Sequence, residues 1–292
     1  MFEGFRGHTI RLGKGIEIHA RVGGSGPPVL LLHGYPQTHV CWHKVAPALA
    51  SRFTVVATDL RGYGDSSKPD DGENHVNYSK RAMALDQLEV MREMGFDRFR
   101  VVGHDRGGRV AHRLALDHPS AVERLAVLDI APTVTMYANT SRAFAEAYYH
   151  WFFLIQPFDL PERLIGADPE YFLRWTFAAW SKVEGAIEEK AFAAYLKAFE
   201  GREAIHAACE DYRAAATIDL DHDAADERVG RLLAMPLLAL WGARGTVGQH
   251  FDVLGTWREK SASQVAGNAL DCGHFLPEEV PSDTLSELLR FL

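Results

Sequence analysis

Only five residues, Gly103-His104-Asp105-Arg106-Gly107, separate the apolar run Phe99-Arg100-Val101-Val102 from a helical stretch that runs from Gly108 to Leu116. So short a turn from strand to helix brings the two backbones almost into contact, which small residues at positions 103 and 107 permit. The middle side chain then projects from the top of a parallel sheet, beside backbone N–H groups, where a nucleophile sits in such turns. Serine there suits acyl transfer, but serine attacking a saturated carbon would leave an inert ether. Aspartate avoids that end. Its carboxylate can attack an sp3 carbon to give an alkyl ester, and water can then attack the aspartate's own carbonyl carbon to free the product. The residue type therefore predicts hydrolysis of a C–X bond, with X a halide or an epoxide oxygen. The competing reading makes Asp105 the cap of the helix that follows.

The rest of the chain repeats the same alternation. Val29-Leu30-Leu31-Leu32, Thr54-Val55-Val56-Ala57, Leu125 to Asp129, Leu237 to Trp241 and Gln264-Val265-Ala266 read as short strands, with helices expected near 45–51 and 79–93. Thr9 to Leu12 and Ile16 to Val22 flank a Gly-Lys-Gly turn and predict a hairpin. Apolar strands alternating with helices give an α/β fold, a mostly parallel twisted sheet covered on both faces. Between 133 and 233 the strand signals stop and aromatic, helical sequence takes over, including Tyr148 to Phe153 and Tyr171 to Trp175. We expect a core of residues 1–132 and 234–292 with an inserted helical cap of residues 133–233.

With 292 residues, 47% of them hydrophobic, the chain is long enough for such a core plus an insertion. No run approaches the roughly 18 apolar residues of a membrane span, and the opening residues do not read as a signal peptide. Cys41, Cys209 and Cys272 show no metal spacing and cannot all pair. These features set the expectation of a cytoplasmic protein with no membrane partner and no metal. A net charge of −8 without basic blocks argues against nucleic acid and requires a local positive site for any anionic substrate.

Four motifs, His33-Gly34-Tyr35-Pro36, Asp59 to Ser66, Gly103 to Gly107 and Cys272-Gly273-His274-Phe275, occur in the order in which the chain resembles the α/β-hydrolase superfamily over nearly its whole length. The resemblance puts an oxyanion loop at His33 to Pro36, gives the second motif a structural turn, and makes His274 the catalytic base. For its acid partner the residues leave two candidates. Asp129, at the end of a strand next to the elbow strand, is preferred to Asp252 after Trp241 to Gly248. Asp129 could equally be a turn residue before Ala131-Pro132.

Arg106 and Arg109 lie at i, i+3 at a helix N-terminus, where an anion is favoured and where guanidinium geometry suits a carboxylate. The alternative for helical arginines such as Arg109 or Arg113 is a surface ion pair. Together with His150-Trp151 and Glu210-Asp211-Tyr212-Arg213, the elbow resembles the haloacetate dehalogenases, fluoroacetate dehalogenases in particular. That resemblance implies Asp105 as nucleophile, His274 as base, Asp129 as its partner, Arg106 and Arg109 on the substrate carboxylate, and His150, Trp151 and Tyr212 as donors to the leaving halide. Packing within the cap would also explain Trp151 and Tyr212. Tyr35 stands where phenylalanine is expected and adds a hydroxyl near the substrate. The activity so implied is conversion of a short haloacid to hydroxyacid and halide without a cofactor, in a possible homodimer. An epoxide hydrolase, which shares the Asp-His-Asp set, and a non-catalytic receptor on the same fold are the competing readings.

Overall fold

A computed structural model describes the backbone of residues 1–292 and every side chain except that of Lys14. Eight strands form one sheet in the order β1-β2-β4-β3-β5-β6-β7-β8. They are β1 (Arg6–Arg11), β2 (Glu17–Gly23), β3 (Pro28–Leu32), β4 (Thr54–Thr58), β5 (Phe99–His104), β6 (Val122–Leu128), β7 (Leu237–Gly242) and β8 (Val265–Leu270). The expected hairpin is the antiparallel pair β1 and β2, β2 runs antiparallel to β4, and all remaining pairs are parallel. The fold is α/β, a mostly parallel sheet with helices, as expected.

The continuous apolar runs of the sequence are explained by burial on two faces. In β3, Leu30 and Leu32 enter the core beneath the helices Lys80–Glu93 and Arg106–Asp117, while Val29 and Leu31 face Trp42, Leu49 and Leu288 on the other side. β6 and β7 divide the same way, with Leu125, Val127, Leu237 and Ala239 on the first face and Ala126, Leu128, Leu238 and Leu240 on the second. Each Val or Leu side chain so removed from water stabilises by roughly 1.5–3 kcal/mol.

Between β6 and β7 the chain forms eight helices, from Thr133–Ala138 to Ile218–Arg228, and no strand. Their aromatic residues Phe144, Trp151, Phe177, Tyr195 and Tyr212 are continuous with the first core. The predicted helix near 45–51 is shorter than expected, Ala46–Leu49, with a Pro inside its first turn. No helix is long and apolar enough to cross a membrane.

The tight turn depends on contact between backbones. A Cβ on Gly103 would lie 2.4 Å from the Gly107 carbonyl oxygen, and one on Gly107 would lie 2.4 Å from the His33 carbonyl oxygen. Neither neighbour is a side chain that can turn aside. Gly107→Ala should therefore lower the unfolding free energy by at least about 1–3 kcal/mol, read by urea denaturation. Gly166→Ala, in the helix Leu160–Ala167 where a Cβ would meet only Ile205 Cδ1 at 3.9 Å, should instead raise it by about 0.5–1 kcal/mol.

Candidate active site

The strands β3, β5 and β6 are neighbours in the sheet, and β7 and β8 continue it, so the residues that follow their C-terminal ends meet along one edge. Asp105 follows β5 with φ 44° and ψ −115°, a conformation that L-residues rarely adopt. It is the residue before the helix Arg106–Asp117, yet its side chain makes no capping hydrogen bond. Its Oδ2 accepts instead from the backbone N–H of Tyr35 at 2.9 Å. No hydrogen bond among the described residues reaches Oδ1. Gly34 is obligatory here, because a Cβ at that position would lie 2.5 Å from that of Asp105. The helix-cap reading of Asp105 is thus displaced by a carboxylate aimed at the oxyanion loop. The N–H of Arg106, first in its helix, has no intrahelical acceptor and lies beside that carboxylate in the chain.

His274 follows β8 and donates from Nδ1 to Asp129 Oδ2 at 2.6 Å, which leaves the lone pair on a buried, unpartnered Nε2. Asp129 follows β6, also at positive φ (51°), and its second oxygen accepts from Gly242 N at 3.0 Å. Asp252 is elsewhere, capping its own helix through Gly255 N at 2.9 Å. Burial opposes a charged imidazole, but the hydrogen bond and charge of Asp129, with the charge of Asp105 added, outweigh it and hold His274 above its ordinary pKa. Burial likewise opposes ionisation of Asp105, and His274, Arg106, His104 and Arg109 more than offset it, so its carboxyl lies below the ordinary value. For Asp129 burial wins and the pKa rises, with His274 and Gly242 limiting the rise.

Two residues that sequence reasoning missed hold His274 in place. Glu279 accepts from Gly273 N and Phe275 N, both at 2.8 Å, so it grips the backbone on either side of His274. His104 Nε2 meets the His274 carbonyl oxygen at 2.8 Å, and burial lowers its pKa to about 3, which keeps it neutral. Only the closeness of Glu279 to His274 in the chain could have pointed to its role.

The arginines leave their common helix in different directions. Arg106, fully buried, grips Asp211 of the helix Arg202–Ala216 through Nε at 2.9 Å and Nη2 at 2.7 Å, and its guanidinium carbon lies 4.2 Å from the centre of the Tyr212 ring. The i, i+3 spacing was expected to put both guanidinium groups on one face; Arg106 is instead shared with a carboxylate 105 residues away in sequence, and only its Nη1 is without a partner. Arg109 donates to Ala131 O, Thr133 Oγ1 and Met136 Sδ and lies over the Trp151 ring at 4.7 Å. Among the described residues no carboxylate pairs with it, and its Nε is unpartnered. Burial and the charge of Arg106 lower its pKa. The surface ion pair proposed for Arg113 is in fact largely buried, with Asp223 and Asp226.

Tyr35, His150 and Tyr212 pack as neighbours, with ring centroids 5.3 Å apart for Tyr35 and Tyr212 and 5.7 Å for His150 and Tyr212. Trp151 reaches the same cluster through Tyr148. The Tyr35 and Tyr212 hydroxyls, Trp151 Nε1 and His150 Nδ1 are all buried without partners. Packing alone does not account for four such atoms, because each unmet polar group costs about 1–3 kcal/mol. A cavity of about 380 Å³ is walled by Asp105, Asp129, His274, His150, Tyr148 and Trp180. His150 is in that wall, whereas Arg106, Arg109, Tyr35, Trp151 and Tyr212 do not line the cavity. Chemically, the arrangement joins an ionised carboxylate, an oriented base and a cluster of hydrogen-bond donors.

A family model described as the alpha/beta hydrolase fold matches residues 27–281. The chain is 46% identical to a fluoroacetate dehalogenase from Burkholderia sp, over all of this chain and 95% of that protein. It is 35% identical to a soluble epoxide hydrolase from Corynebacterium sp. (strain C12), over 95% of this chain and 94% of that one. A crystal structure of a Nostoc sp PCC 7120 protein, provisionally described as an α/β hydrolase, superposes with a TM-score of 0.97 at 56% identity and covers 100% of this chain and 99% of that one.

In the role of base His274 must be unprotonated, so activity is expected to fall as pH drops through its raised pKa, read as an acid limb in the pH–rate profile. Asp129→Asn removes the group that most strongly raises that value and the acceptor that fixes the tautomer. We expect kcat to fall on the order of 10⁴-fold, with the residual acid limb moved to lower pH in a pH–rate profile.

Proposed function

From membership of the haloacetate dehalogenase family of the α/β-hydrolase superfamily, to which this chain belongs, we propose that it hydrolyses short 2-haloacids, fluoroacetate among them, through an ester on Asp105. The observation that carries the reading is Arg109, a guanidinium 3% exposed and without a carboxylate partner among the described residues, one helical turn from the nucleophile. A buried charge left uncompensated is strongly destabilising. An anionic substrate would supply the missing charge, and the unpartnered donors of His150, Trp151 and Tyr212 would take a small departing anion.

Asp105 attacks C2 of the haloacid, and the halide leaves with the electrons of the C–X bond. His274 Nε2 then takes a proton from water, whose oxygen adds to the Asp105 carbonyl carbon. The negative oxygen formed there is held by the Tyr35 N–H. Collapse breaks the bond to the hydroxyacid oxygen, which receives the proton from His274. Haloacetate and water give glycolate, halide and a proton, and Asp105 is restored.

Halide release from fluoroacetate and chloroacetate, measured side by side with diol formation from styrene oxide, tests the reading. Release from the haloacetates is expected. The unpartnered hydroxyls of Tyr35 and Tyr212 favour epoxide opening as the second reading, since paired phenols suit an epoxide oxygen. Diol formation without halide release would establish it. His274→Asn should accumulate the ester, seen as a carboxymethyl adduct on the peptide carrying Asp105. An unmodified variant that still turns over would exclude the mechanism.

The substrate and leaving-group contacts give two separable outcomes. Arg109→Leu should lose about 2–5 kcal/mol of binding or transition-state free energy toward haloacetate, and much less toward the neutral haloacetamide. Fluoride concentrates its charge more than chloride, so Trp151→Phe should cost ~2.7–4 kcal/mol with fluoroacetate and leave chloroacetate turnover largely intact. Equal losses on both halides would mean that Trp151 acts by packing.

A further inference from the structure

Asp211 takes no part in the chemistry above, yet its carboxylate is the most heavily engaged near the site. Oδ1 accepts from Arg106 Nη2 at 2.7 Å and from Lys80 Nζ, and Oδ2 accepts from Arg106 Nε at 2.9 Å and Tyr63 Oη at 2.6 Å. A carboxylate offers about four lone-pair sites, so Asp211 has none left for a substrate or a proton. Its backbone carbonyl accepts a further bond from Arg106 Nη2 at 2.8 Å. Arg106, Lys80 and Tyr63 belong to the sheet-bearing part of the chain, whereas Asp211 sits on the helix Arg202–Ala216, next to Tyr212. Asp211 and Arg106 are both 0% exposed.

The pairing also decides which guanidinium atoms remain. Of the five N–H groups on Arg106, Nε and both of those on Nη2 are spent on Asp211, and the two on Nη1 are buried without a partner. The bidentate fork fixes the plane of the group, because a guanidinium held at two nitrogens cannot rotate about either bond. Tyr212 lies against the same plane, 4.2 Å from the guanidinium carbon.

We propose that Asp211 is a positioning residue that clamps Arg106 so that Nη1 is presented to the carboxylate of the substrate, and that it thereby makes assembly of the carboxylate site depend on docking of the helix Arg202–Ala216 onto the elbow. The proposal rests on the haloacid reading of the site for the identity of the anion. Lys80, whose backbone N–H and Nζ also meet Asp219, compensates the charge of Asp211 that Arg106 alone would leave shared. The clamp thus orients Arg106 without contributing a free anion near the nucleophile.

The test uses the intact protein and two readouts, steady-state kinetics with chloroacetate and calorimetric binding of glycolate, the unreactive hydroxyacid. Asp211→Asn keeps the shape but presents an amide N–H to one arm of the fork. It should raise KM at least 30-fold with kcat within about threefold, and weaken glycolate binding by the same factor as KM. In an Arg106→Lys background, which has no fork to orient, Asp211→Asn should add less than threefold. Tyr63→Phe, a milder change that removes one bond to Oδ2, should move KM and glycolate affinity in the same direction by 3–10-fold, and it serves if Asp211→Asn does not fold. A fall in kcat at unchanged KM, or equal effects of Asp211→Asn in both backgrounds, would overturn the proposal and make Asp211 a fold-stabilising residue. If wild type binds glycolate but releases no halide, and the variants weaken that binding, the haloacid reading fails and the clamp stands. If wild type does not bind glycolate, both fail.

Discussion

The contact of three backbone segments at the end of β5 sets the position of everything else in the site. Gly103 and Gly107 allow the strand and the next helix to touch, Gly107 rests on the carbonyl of His33, and Gly34 leaves space for the Asp105 side chain. Asp105 is held at positive φ, a conformation that costs of order 1–3 kcal/mol and persists where surrounding structure enforces it. In return the carboxylate is lifted clear of the helix that follows and placed against the Tyr35 N–H. Had the turn relaxed to an ordinary helix start, Asp105 would cap its own helix and no carboxylate would stand at the edge of the sheet. Asp129, likewise at positive φ, shows the same use of strain one strand away.

What the chain reveals before folding follows from how local each determinant is. The strands were readable because burial on both faces demands uninterrupted Val, Leu and Ala, as in Val29 to Leu32. The elbow was readable because its glycines and aspartate lie within five residues. Asp129 and Asp252 could not be separated by residue type; they separate only through sheet order, which sets β6 beside β5 and leaves Asp252 to its own helix. The fates of Arg106 and Arg109 were the least legible. Spacing at i, i+3 places their Cβ atoms on one face, but two long side chains can still diverge, and the partner that draws Arg106 away lies 105 positions further on. Asp211 stood in a motif that was noticed for its neighbour Tyr212.

Buried polar atoms without a partner are scattered through the described residues, as at Trp42 Nε1, His112 Nε2 and Glu278 Oε1, but seven of them gather around Asp105. Elsewhere His33, Asp59 and Glu279 are satisfied by the loops and short turns around them, and Arg61 by Asp86 of the helix Lys80–Glu93. Around Asp105 the count reverses: Tyr35 Oη, Arg106 Nη1, Arg109 Nε, His150 Nδ1, Trp151 Nε1, Tyr212 Oη and His274 Nε2 have no partner. All of these except His274 Nε2 can supply an N–H or O–H donor once the His150 tautomer is chosen. Such a collection of unmet donors is what a small anion, with several lone pairs and little bulk, can satisfy at once.

An anion bound there approaches a nucleophile that is itself an anion, and this repulsion is the central electrostatic problem for the proposed reaction. Two unit charges 4 Å apart repel by about 4 kcal/mol at an effective dielectric constant of 20. A single guanidinium at similar distance from both could offset that term. Arg106 alone cannot, because its charge is already matched by Asp211. Arg109 can, because its hydrogen bonds go to a carbonyl, a hydroxyl and a thioether, none of which carries a charge. The pair therefore divides the work. In the proposed reaction Arg106, neutralised and locked, would supply geometry through Nη1, while Arg109, unmatched, would supply the net positive charge that lets one carboxylate be brought against another. For a chain with a net charge of −8, a charge kept buried and uncompensated beside Asp105 is what the proposed anionic substrate requires.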